Sequence, residues 1–171
     1  MIFEKYHPIM TQHYELDWLT TFKVKDVFAL RNDADLAGKM NRDPDKTIMV
    51  TAAHVNRVMS AIMHNDALVW GIGDKQSHAF LGIFGFDVFT ADKKTTEISF
   101  EIAPGAQQRG VMTEVLSHML SFAFDELLVS TVIAKVSPED TVTLKLLAGQ
   151  GFTAERAENN LTKMILRKVE R

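Results

Sequence analysis

The run Ala106-Gln107-Gln108-Arg109-Gly110-Val111-Met112-Thr113-Glu114 brings together residue types suited to holding a phosphate. It is a polar turn with one glycine, placed before a strongly periodic stretch from about Val111 to Leu127. Where a strand gives way to a helix, the first helical N–H groups have no partner inside the helix and lie at the positive end of its dipole. That arrangement binds anions, phosphates above all. Gly110 has no Cβ, so a ligand can come close to the backbone there. The same pattern also fits an ordinary strand-to-helix turn, and both readings stand at this point.

Two further groups could move protons. The segment from Thr95 to Ala103 alternates, with Ile98, Phe100 and Ile102 on one face and Glu97, Ser99 and Glu101 on the other. A carboxylate on such a strand either meets solvent or serves as a base. Downstream, Asp140-Thr141-Val142-Thr143 opens another periodic segment, with Asp140 suited to an N-cap and Thr143 to the first turn.

The elements that must position these groups follow from the apolar spacing. A short strand is expected around Leu16 and Trp18, and helices over Thr21–Asn32 and from about Thr51 to His64. Between those helices, residues 41–46 read as a loop punctuated by Pro44, mobile in character. Strands over Ala67–Ile72, Ala79–Phe89 and Thr95–Ala103, joined by short polar turns, form an antiparallel meander. The helix from Val111 has Val115, Leu116, Met119, Leu120, Ala123 and Leu127 on one side, and Glu114, Ser117, His118, Ser121 and Asp125 largely on the other. A strand over Val129–Val136 follows, then the helix from Asp140, stopped by Gly151 in a left-handed cap. Two strands around an Asn159-Asn160 turn close the chain.

Composition excludes several classes. With 171 residues and no repeat or linker, residues 1–171 are expected to form one domain. A net charge of −3 argues against non-specific nucleic-acid binding. No cysteine means no disulfide, thiolate metal site or cysteine nucleophile, and the six histidines lack paired ligand spacing, so no metal site is expected. The N-terminus lacks the character of a signal peptide, and no apolar run approaches the roughly 18 residues of a membrane span, so a cytoplasmic protein without membrane partners is expected.

The element order and three motifs resemble the GCN-five-related N-acetyltransferases, the GNAT superfamily. Its signature is Gln or Arg, two residues, Gly, one residue, then Gly or Ala. Residues Gln107 to Met112 match except at Met112. Met112-Thr113-Glu114, and the stretch from Ser137 to Leu147 followed by Gly151-Phe152, resemble the branch that acetylates ribosomal-protein N-termini. That branch usually has Asn where Asp140 stands and Ser where Thr143 stands. The resemblance implies an α/β (α+β) fold with a mixed, mostly antiparallel sheet of about six or seven strands, about four flanking helices and a splayed parallel strand pair.

It further implies acetyl-CoA as the donor. The diphosphate of coenzyme A would be held by the N–H groups of Gln108, Arg109, Gly110, Val111 and Met112, with the Thr113 hydroxyl. The pantetheine arm would pair near Ile102. Glu97 stands where some relatives carry the general base, with Glu101 as its competitor. Thr143 stands where a serine protonates the departing thiolate, and Lys145 would face a CoA phosphate. The tyrosine that many members use for that step is absent, since Tyr6 and Tyr14 lie far upstream. The implied reaction is acetyl transfer to a primary amine, a protein N-terminus or a small molecule, by direct attack in a ternary complex. A non-catalytic acyl-CoA-binding or sensing module is the second reading, and whether the chain forms a homodimer is left open.

Overall fold

The meander expected at the centre of the chain is the middle of a larger sheet. In the computed structural model, which describes residues 1–169 apart from the side chains of Ala157 and Glu158, eight strands form one sheet. They are β1 (Ile9–Met10), β2 (Tyr14–Asp17), β3 (Leu68–Asp74), β4 (Phe80–Phe89), β5 (Thr95–Ile102), β6 (Thr131–Val136), β7 (Thr153–Glu158) and β8 (Leu161–Arg167). Their spatial order is β1-β2-β3-β4-β5-β6-β8-β7. Every neighbouring pair is antiparallel except β5 with β6. The helices are α1 (Val24–Arg31), α2 (Ala34–Lys39), α3 (Ile48–Met63), α4 (Val111–Asp125) and α5 (Thr141–Gly149).

The mixed α/β class and the splayed pair are as expected, while the strand and helix counts are corrected upward. β1 has only two residues, too few to alternate, and α2 has six, too few to show a period. α2 is fixed instead by its cap, where the Asp33 carboxylate accepts from Leu36 N at 3.0 Å. α3 starts at Ile48, three residues before the expected Thr51, because Thr47 caps it. Its first turn, Ile48-Met49-Val50, is exposed, so the apolar stripe begins one turn late. The Asn159-Asn160 turn has both φ angles positive (51° and 63°), and Gly151 has φ 100°, as the turn chemistry requires.

The core is aromatic between the sheet and α4. Trp70 (β3), Phe84 and Phe86 (β4) are fully buried and packed on one another, and Trp70 and Phe86 meet Phe122 of α4, with centroids at 5.9 Å and 6.3 Å. Aromatic pairs of this kind add about 0.5–1.5 kcal/mol each beyond burial. α4 is thereby clamped to the sheet along its buried side, from Val111 through Ala123. A second tie fixes its first turn. The Glu114 carboxylate accepts from Thr11 Oγ1 (2.5 Å), His13 N (2.8 Å) and His13 Nδ1 (2.6 Å), joining the helix start to the β1–β2 turn.

β5 and β6 are paired only over Thr95–Glu97 against Thr131–Ile133. From Ile98 onward they part. No described helix is long and apolar enough to cross a membrane.

Candidate active site

A cavity of about 340 Å³ fills the gap where β5 and β6 part. α2, the start of α4 and the start of α5 wall it, and Met40, Ser99, Ile102, Gly110, Ala134 and Thr143 are among its lining residues.

At the α4 end the backbone is shaped for an anion. Gly110 is the N-cap and left-handed, at φ +78°, and Gln108 is also positive at 59°. A Cβ built on Gly110 would meet nothing within 4 Å, so the space in front of the turn is open. No side chain caps α4, and among the described residues nothing accepts from the N–H groups of Val111, Met112 and Thr113. The first backbone bond of the helix is Glu114 N to Gly110 O, 3.2 Å. Two side chains of the run stabilise the turn itself. Gln107 Nε2 donates to Ile102 O (3.1 Å) and Arg109 Nη1 to Gly105 O (3.0 Å). Val111 and Met112 are buried, so what they offer a ligand is backbone.

At the α5 end, Asp140 caps the helix. Its carboxylate accepts from Thr143 N at 3.2 Å and from Thr143 Oγ1 at 2.7 Å. The carboxylate is thus engaged with the start of its own helix and holds the Thr143 hydroxyl as a donor to it. Both residues line the cavity, whereas Arg109 and the exposed Lys145 lie outside its lining.

The acidic residues of β5 have separate fates. Glu97 is half-buried, pairs with Lys135 Nζ of β6 at 3.3 Å, and is not among the cavity-lining residues. Glu101 does line it, with a side chain only 5% exposed. Arg42 Nη2 donates to both oxygens of Glu101 (2.9 and 3.1 Å), and Arg42 Nη1 to Arg31 O (3.1 Å). Burial pushes the Glu101 pKa up, and the Arg42 and Arg31 guanidinium groups oppose that rise. Arg31 in turn holds Asp45 (2.7 Å), which also accepts from Thr51 Oγ1 (2.7 Å). Burial alone would raise the Asp45 pKa. The Arg31 and Thr51 hydrogen bonds outweigh it and keep the carboxyl below its ordinary range. The loop over residues 41–46, expected to be mobile, is therefore tied down by buried charges. Its hydrogen bonds reach residues as far as 59 positions away, which local composition does not encode.

One further acid was not singled out from sequence. β4 breaks register between Phe86 and Val88, and Asp87 sits in that irregularity. Its carboxylate accepts a short hydrogen bond from Ser99 Oγ. Two signals existed: a glycine, Gly85, inside a strand, and an acid two residues later. Among the described residues no group of three or more His, Cys, Asp or Glu could hold a metal.

Comparison with known proteins agrees with this architecture. Residues 16–153 match the family model described as an acetyltransferase (GNAT) domain. The chain is 23% identical over 149 residues to the uncharacterized N-acetyltransferase YoaA of Bacillus subtilis, covering 86% of this chain and 84% of that one. Among solved structures, the spermidine N-acetyltransferase of Vibrio cholerae, in complex with CoA and spermine, superposes with a TM-score of 0.78 at 17% identity, over 90% of this chain and 95% of that one. RimL, a ribosomal L7/L12 alpha-N-protein acetyltransferase in complex with coenzyme A, gives 0.78 at 16% identity, over 93% and 96%. Both share the fold of this chain.

Proposed function

The chain belongs to the GNAT acetyltransferase family, and on that premise we propose that residues 1–171 act as one domain transferring acetyl from acetyl-CoA to a primary amine. The observation that carries the reading is the uncapped start of α4, opening into the gap between β5 and β6. The fit to coenzyme A is chemical. Its diphosphate needs clustered N–H donors and close backbone approach, which residues Gln108 to Met112 offer, with the Thr113 hydroxyl beside them. Its pantetheine amides need a strand edge, which β5 offers near Ile102 beyond its last pairing with β6. Gln107 keeps that edge in place, and Lys145 supplies a counter-charge on the outer side of α5.

At the reacting end, Thr143 assists departure of the sulphur by turning its hydroxyl from Asp140 toward the cavity. Glu97, the base suggested by sequence, is engaged by Lys135 and stands outside the cavity lining. The acceptor is a primary amine, the chemistry common to the spermidine and protein N-terminal enzymes to which the chain is similar.

Calorimetry with coenzyme A tests the first half of the reading, and release of free thiol from acetyl-CoA across a panel of polyamines and N-terminal peptides tests the second. Saturable binding with amine-dependent release is expected. No heat of binding refutes the assignment, and binding without amine-dependent release points to an acyl-CoA-binding module.

A further inference from the structure

We propose that Ser99 and Asp87 form the proton relay for this transfer: Ser99 Oγ accepts the proton lost by the attacking amine and passes its own to Asp87. The proposal rests on the transferase reading above and goes beyond it in naming where the proton goes.

Ser99 lines the cavity, and its hydroxyl hydrogen is committed to Asp87 Oδ2. A hydroxyl so held turns its lone pairs outward as acceptors, which is what an N–H donor needs. The backbone is built for the pair. Ser99 stands opposite Gly85 in the β4–β5 register, and the irregularity between Phe86 and Val88 turns Asp87 back over Gly85. A Cβ on Gly85 would lie 2.5 Å from Asp87 Oδ1 and 3.1 Å from Val69 Cγ2. Only glycine leaves room for the carboxylate to fold across to the next strand.

The electrostatics fit a base. Asp87 is reached by solvent yet surrounded by protein, and desolvation pushes its pKa up to about 6 against the Ser99 hydrogen bond, with Glu97 and Glu101 adding to the rise. Those two acids are balanced by Lys135 of β6 and by Arg42 of the α2–α3 loop. The charges acting on Asp87 itself are both negative, so a base there is stronger than an ordinary aspartate and still ionised at neutral pH. Glu97 and Glu101 become tuning residues.

The balance is as follows. The neutral amine nitrogen bonds to the thioester carbonyl carbon, and the C–S bond breaks with its electron pair on sulphur. Ser99 Oγ takes the surplus proton from nitrogen as its own proton moves to Asp87. Asp87 returns that proton to solvent, and the thiolate, met by the Thr143 hydroxyl as it departs, takes its proton from solvent.

The experiment compares wild type with D87N, S99A, S99T, G85A and E97Q in thiol release with acetyl-CoA and the best amine of the panel, from pH 5 to 9. Coenzyme A affinity and melting temperature are measured alongside. D87N and S99A should lose roughly a hundred- to ten-thousand-fold in kcat with coenzyme A affinity retained, the usual range for general-base removal. The wild-type rise of kcat/KM through about pH 6 should vanish in D87N. S99T should restore most of the rate, and G85A should lose rate while leaving both relay residues in place. E97Q should keep its rate within about fivefold and move the limb to lower pH, since a negative neighbour is removed. If the wild type turns over and D87N and S99A stay within about threefold with an unchanged profile, the relay falls and the transferase reading survives. If E97Q removes the limb and D87N does not, the relay also falls. A wild type that releases no thiol with any amine overturns both.

Discussion

Arg42→Met removes the cation from Glu101 while keeping an apolar stem of similar length. Glu101, 5% exposed, is then left as an unpaired buried carboxylate, and Arg31 O loses a donor. Breaking a buried pair by deleting one partner costs about 3–5 kcal/mol, a large share of the ~5–15 kcal/mol that holds a domain together. At about 2–4 °C per kcal/mol for a chain of this size, Tm should fall by roughly 6–20 °C. The loss depends on pH. Burial already raises the Glu101 pKa, and without Arg42 it rises further. A group whose folded pKa is raised stabilises the fold in its neutral form. The penalty is therefore complete above the folded pKa and shrinks as pH falls toward the ordinary glutamate value near ~4.3. Melts of R42M and wild type followed by circular dichroism should differ widely at pH 7.5 and little at pH 5, with acid effects common to both cancelling in the difference. R42M/E101Q, with no charge left to bury, should recover most of the stability. An equal gap at both pH values, or a double variant melting no higher than R42M, would refute the reasoning.

Two other substitutions probe the ends of the cavity. G110A meets no atom within 4 Å, so its cost to the fold is backbone strain at positive φ, about 1–2 kcal/mol, while its Cβ obstructs the diphosphate. Calorimetry should show coenzyme A binding weakened at least about tenfold, and unchanged affinity would remove the α4 turn from the site. D140A strips the cap of α5 and should cost about 0.5–2 kcal/mol in denaturant melts, whereas D140N caps equally well and should stay near wild type. A D140N variant as unstable as D140A would contradict the capping role.

What the sequence revealed and what it hid divide along a physical line. α4, β3 to β6 and the Asn159-Asn160 turn are governed by local spacing and turn chemistry, so their residues announce them. The phosphate-type turn belongs to the same class, since Gly110 and the periodic stretch after it are neighbours in the chain. Arg42 on Glu101 and Arg31 on Asp45 are pairings across the fold, and no periodicity reports them. Ser99 and Asp87 come from different strands, and Asp87 sits where β4 breaks register, which local spacing does not report. Glu97 shows the converse. Its face was read from alternation, but its company, Lys135, comes from a parallel strand some forty residues on.

The two rims of the sheet bear on self-association. β1 ends after two residues, and β7 at the opposite rim displays Glu155, ion-paired to Arg167 at 3.1 Å, beside the exposed Arg156. A short rim and a charged one give an incoming strand little to template on. Edge-to-edge strand pairing between copies of this chain is thereby disfavoured.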